Sequence, residues 1–123
     1  MTARRDDPHA AAVVTQAAYR AARALGFTRR ELAQRLTLPP EAALDLAAGR
    51  YRLRAHTPAW RTALALTRVF VALEALTGGD AATRAAWLAH WNRDLRGIPR
   101  QLLRHDAGLA AVLAYLESLH TRR

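Results

Sequence analysis

Apolar positions recur at helical spacing from the start of the chain to its end, and no stretch alternates in the two-residue period of a strand. Asp7-Pro8 supplies a capping side chain followed by proline at the first helical position, and Val14, Ala18, Ala21 and Leu25 then form one face until Gly26 ends the helix. Thr28 and Glu31 are spaced as a capping box, ahead of a short helix carrying Leu32, Ala33 and Leu36. A turn at Thr37-Leu38 leads through Pro39-Pro40 to another short helix that stops at Gly49. Thr57-Pro58 opens the longest helix, which runs to about Leu76. Trp60, Leu64 and Val71 lie near one of its faces and Leu66, Phe70 and Leu73 near another. A helix apolar over that much of its circumference is buried on most sides, and the same helix is expected to form a homodimer contact. Gly78-Gly79 closes it and marks a junction, giving an expected division into residues 1–77 and 78–123.

The last third continues the pattern in shorter pieces. Asp80 caps a helix expected over Ala81–Trp91, with Trp87, Leu88 and Trp91 on one side as core. Asn92 suits the end of that helix through its tolerance of the left-handed conformation. Gly97 supplies a turn, Pro99 starts a short helix bearing Leu102 and Leu103, and Gly108 breaks the chain before a final amphipathic helix. Leu109, Val112, Leu113, Leu116 and Leu119 make the stripe of that last helix. The fold class is therefore all-α.

Composition narrows the function. The chain has 123 residues, enough for one compact domain or two small halves, and its net charge is +9. All 19 basic residues are arginine, a bias that fits a GC-rich coding sequence, while the charge itself favours nucleic acid or an acidic protein as partner. There is no cysteine, hence no disulfide or thiol chemistry. The start lacks an apolar leader core and arginines interrupt every long apolar stretch, so no membrane span and a cytoplasmic location are expected. His9, His56, His90, His105 and His120 are scattered without metal-ligand spacing. Ser118 is the only serine, with no nucleophile-elbow context, and Asp6-Asp7 reads as helix-cap material. Gly78-Gly79-Asp80 lacks the lysine of a phosphate loop. No enzyme, metal or cofactor is expected.

Taken in order, Trp87-Leu88, Asn92, Leu95, Gly97, Pro99, Leu102-Leu103, Gly108-Leu109, Val112 and Tyr115-Leu116 form one compact series, WL-x3-N-x2-L-x-G-x-P-x2-LL-x4-GL-x2-V-x2-YL. This series resembles the toxin-binding domain of the Xre/MbcA/ParS-like antitoxins, the partners of RES-domain toxins. Arg96-Gly97 stands where that family usually has a glycine pair, and Trp91 where it usually has proline. The resemblance implies an antitoxin that binds and sterically inhibits a RES-domain toxin, an enzyme that breaks down NAD. It implies toxin contacts among Trp87, Asn92, Leu95, Gly97, Pro99, Leu102, Leu103, Leu109, Val112, Tyr115, Leu116, Leu119, Arg122 and Arg123.

The earlier pattern, LGFTRRELAQRL followed by LPP and AAGR, is similar to Xre-type helix-turn-helix domains. Such a skeleton is two short helices joined by a turn of about three to four residues. Arg29, Arg30, Arg35, Arg50, Arg52 and Arg54 are candidate phosphate contacts to promoter DNA. The would-be recognition helix presents Pro39, Pro40, Glu41, Leu44 and Asp45, which offer base edges few donors and offer phosphate two repelling carboxylates. A stand-alone transcription regulator is accordingly the second reading, behind the antitoxin.

Overall fold

The computed structural model describes residues 7–121. Arg122 and Arg123, expected to contact a toxin, and Asp6 lie outside them. Seven helices follow one another among the described residues: α1 (Pro8–Ala24), α2 (Arg29–Arg35), α3 (Ala42–Ala48), α4 (Pro58–Thr77), α5 (Ala81–Ala89), α6 (Pro99–Leu102) and α7 (Asp106–Thr121). The chain forms two compact units, 1–67 and 68–123, with the division falling inside α4. The all-α class is as the periodicity predicts.

In the first unit α1 packs on α2 and α3, and these two pack on each other. The caps are those read from the sequence. Asp7 accepts from the His9 amide, and Thr28 and Glu31 satisfy each other's backbone N–H groups in a full capping box. Leu25, Leu32, Ala33, Leu36, Leu46 and Leu66 are buried. Thr15, the buried polar residue among them, donates from its hydroxyl to Ala11 O at 2.6 Å and accepts from the Leu53 amide at 2.9 Å. That one hydroxyl fixes the segment after α3 onto α1 and leaves no buried polar atom of its own unsatisfied. The connection from α2 to α3, Leu36–Glu41, is longer than the tight turn expected, because the Pro39-Pro40 pair delays the start of α3.

In the second unit α5 packs on α6, and α6 on α7. Leu88, Leu103, Leu109, Val112, Leu113 and Leu116 are buried there, together with Val69, Ala72 and Leu73 of α4. Ion pairs connect the helices. Arg84 of α5 pairs with Glu74 of α4 and lies over the Phe70 ring, 5.8 Å from its centroid. Arg68 of α4 and Glu117 of α7 form a forked pair, at 2.6 and 2.8 Å from Nη2 and 3.2 Å from Nε. The first pair is largely shielded, with the Arg84 side chain 18% exposed, and so contributes more than the open Arg68–Glu117 fork. Near the end of α7, His120 Nε2 lies 3.3 Å from Ala72 O, bringing the last described turn back to α4.

Gly108 has a different role from the one its position suggests. It does not break the chain before α7, since that helix begins at Asp106. A Cβ at residue 108 would stand 2.1 Å from the Leu102 carbonyl oxygen and 2.7 Å from its carbon. Inside a helix Gly→Ala ordinarily gains about 1 kcal/mol. Here the obstacle is backbone, which cannot rotate aside, and overpacking costs about 3 kcal/mol or more. Gly108→Ala should therefore lower the thermal midpoint by about 10 °C or more, as read by circular dichroism, despite alanine's better helix propensity.

Candidate functional site

The motif residues assemble into a closed turn followed by two helices. α5 ends at Ala89, two residues short of the helix expected, and His90 is already extended (φ −101°, ψ 150°). Trp91 thereby leaves the helical register that would have placed it beside Trp87 in the core. It is 68% exposed, whereas Trp87 is half-buried. The expectation of a core Trp91 is corrected on this point.

Asn92 also works differently from its expected part as a left-handed helix end. It is absent from the positive-φ residues, Thr37, His56 and Arg96 being the non-glycine ones. Instead it opens a turn that Gly97 closes. The Asn92 amide donates to Gly97 O at 2.8 Å, the Gly97 amide returns to Asn92 O at 3.4 Å, and Asn92 Oδ1 accepts from the Leu95 amide at 3.0 Å. The N-x2-L-x-G spacing is thus the spacing of one hydrogen-bonded ring. A side chain able to accept is needed at its first position. Its last position tolerates little bulk, because a Cβ on Gly97 would come within 3.1 Å of both Leu102 methyls. Arg96 takes the left-handed conformation in this turn, at φ 54°. Tyr115 of α7 donates from its hydroxyl to Asp94 Oδ2 at 3.0 Å, so the final helix holds the ring from outside.

The next residues serve the core. Pro99 is the first residue of α6, as expected, and is fully buried. Gly97, Leu103, Leu109, Val112 and Leu116 are buried as well. Asn92, Leu95, Leu102, Tyr115 and Leu119 remain half-exposed with Trp87. The sequence-derived set therefore separates into residues that build the unit and residues that a partner can reach.

The cap at the start of α5 carries a carboxylate. Asp80 Oδ2 accepts from the Thr83 hydroxyl at 2.6 Å and the Thr83 amide at 2.8 Å. These two bonds, with a smaller contribution from the Arg84 charge, hold the carboxyl below its ordinary 3.8 against the opposing effect of desolvation.

Among the described residues no group of His, Asp and Glu is placed to hold a metal ion, and no single helix is long and apolar enough to cross a membrane. Of the residues considered for DNA contact, Arg29, Arg30, Arg50, Arg52 and Arg54 are exposed and Arg35 is half-buried. Arg50 is engaged by Asp45, with Nη2 3.1 Å from Oδ1. Leu44, at the middle of α3, is 62% exposed.

Residues 72–120 match the family model of the Antitoxin Xre/MbcA/ParS C-terminal toxin-binding domain. This part of the chain belongs to that domain family. That domain is the toxin-binding part of antitoxins, which supports an antitoxin role with a toxin protein as partner. Comparison of the chain with curated proteins gives no match.

Two outcomes follow from the geometry. Asn92→Ala removes the acceptor for the Leu95 amide and should cost about 1 kcal/mol in chemical denaturation, with faster amide exchange at Leu95. Asp80 has a depressed pKa, so its stabilisation is present above the unfolded carboxyl pKa and is lost as pH falls through the folded value. The difference in thermal midpoint between wild type and Asp80→Ala should therefore shrink from pH 7 to pH 3. A difference that holds constant over that range would contradict the cap's ionised state.

Proposed function

We propose that this protein is the antitoxin of a RES-domain toxin that degrades NAD, and that it inhibits by covering the toxin's substrate mouth with its C-terminal unit. The observation that carries the reading is the ordered motif from Trp87 to Leu116, matched as a toxin-binding domain and folded as one helical unit with a pinned turn. Inhibition needs a desolvated apolar contact more than many surface ion pairs. Trp87, Leu95, Leu102, Tyr115 and Leu119 are the motif side chains accessible for it, while Leu103, Leu109, Val112 and Leu116 act by holding the unit's shape. The guanidinium groups of Arg122 and Arg123 suit a pocket built for the anionic pyrophosphate of NAD. A partner that consumes NAD places the pair in the cytoplasm.

DNA binding is the lesser part of this function. An α3 that exposes Leu44 and commits Asp45 to Arg50 has little to offer base edges, whereas exposed arginines still contact phosphate. We expect weak promoter autoregulation by a homodimer. Val71, 62% exposed on α4, is the candidate dimer contact.

Expression of the adjacent reading frame alone should arrest growth with loss of cellular NAD, and co-expression of this protein should relieve both. A harmless neighbour, or arrest at constant NAD, would refute the RES pairing. Deleting Leu119–Arg123 should leave helical content nearly intact while toxin activity returns. Full neutralisation by the truncated chain would move the inhibitory contact to the body of the unit. Promoter binding should fall steeply as salt is raised toward physiological strength, and a footprint that persists there would restore the helix-turn-helix as the main site.

A further inference from the structure

We propose that the turn after α5 is the anchor by which the chain engages its toxin, with Trp91 as an apolar plug and Arg96 as the charged contact that sets partner choice. The inference rests on the toxin-binding reading above and adds to it two residues and the chemistry of the surface they fit. Among the described residues Trp91 is the most exposed of the large apolar side chains, at 68%. An indole in water forgoes the burial that makes tryptophan the commonest anchor at the centre of protein interfaces. It is also firmly presented. The ring that begins at Asn92 is closed by two backbone hydrogen bonds and by the Asn92 side chain, and Tyr115 holds it through Asp94. A contact fixed in advance loses little freedom on binding.

Arg96 supplies the second, independent observation. Its backbone lies at φ 54°, a region where glycine is free of penalty and a long side chain is not. The hydrogen-bonded ring from Asn92 to Gly97 holds it there. Strain that the surrounding structure imposes in this way clusters at binding sites. Arg93 and Arg100 are exposed on either side, and the carboxylate in the same turn, Asp94, already accepts from Tyr115. The surface that fits is therefore an apolar pocket on the toxin rimmed by carboxylates, which arginine meets in forked pairs. An exposed indole among arginines also suits stacked single-stranded nucleic acid. The position of the turn inside the matched toxin-binding segment favours a protein.

The test measures binding of the purified full chain to the purified product of the adjacent reading frame by calorimetry, alongside thermal melts. Trp91→Ala should weaken binding by about thirtyfold or more with unchanged helical content. Arg96→Gly should raise the thermal midpoint by a few degrees, relieving the strained backbone, and yet weaken binding by about tenfold. Thr37→Gly, at another left-handed site with φ 57°, should also raise the midpoint but leave the affinity as it was. If wild type binds and both turn variants bind equally well, the anchor is overturned while the toxin-binding reading stands. If the variants lose affinity for a single-stranded oligonucleotide and not for the neighbour's product, the turn is a nucleic-acid surface instead. If wild type itself does not bind the product, the toxin-binding reading fails and the anchor with it.

Discussion

The Leu102 carbonyl oxygen lies 2.1 Å from where a Cβ on residue 108 would stand, so the start of α7 can lie against the end of α6 only on a glycine. That approach governs the C-terminal unit. With the two backbones this close, Leu103 and Leu109 are both buried, and the stripe through Val112 and Leu116 is covered along its length. Each fully buried leucine contributes about 1.5–3 kcal/mol, so the burial that depends on this approach is a large part of a small unit's stability. The same placement of α7 brings Tyr115 to Asp94 and Glu117 to Arg68. The turn at 92–97 and the second half of α4 are held by the helix that the glycine positions.

The surface is organised by what that frame leaves outside. The motif residues that look most like binding residues in the sequence, the leucines and the valine of the final helix, are mainly inside. In the proposed reading, contact with a toxin falls to the half-exposed remainder and to the turn. Arginine dominates the accessible charge, and most of it faces water, where single pairs contribute little to stability. Its consequence lies in association: a strongly cationic surface speeds and selects encounter with an acidic partner.

Much of this was legible in the sequence, and what was legible is local. Asp7, Thr28 with Glu31, Asp80 and Pro99 act within three residues of themselves, and each does what its type and position predict. The all-α class followed from periodicity, and the family resemblance followed from the order of the motif. The rest depended on contacts distant in sequence. Nothing in the spacing of Phe70, Glu74 and Arg84 marks them as a packed trio. Trp91 was misplaced because an i, i+4 pair with Trp87 implies a shared face only while the helix lasts, and α5 stops at Ala89. Asn92 stands in the motif, but its use in the fold is as an acceptor in a closed turn and not as a left-handed residue. That distinction lies in the hydrogen bonds it forms with Gly97 and Leu95, which spacing alone does not reveal.

We propose that the C-terminal unit acts by stoichiometric occlusion of a toxin and not through DNA. The most direct measurement follows NAD breakdown by the purified product of the adjacent reading frame while this chain is titrated in. A sharp loss of activity that ends at a fixed molar ratio, unchanged by added promoter DNA, is the result expected. NAD consumption that proceeds at the same rate at every ratio would contradict it.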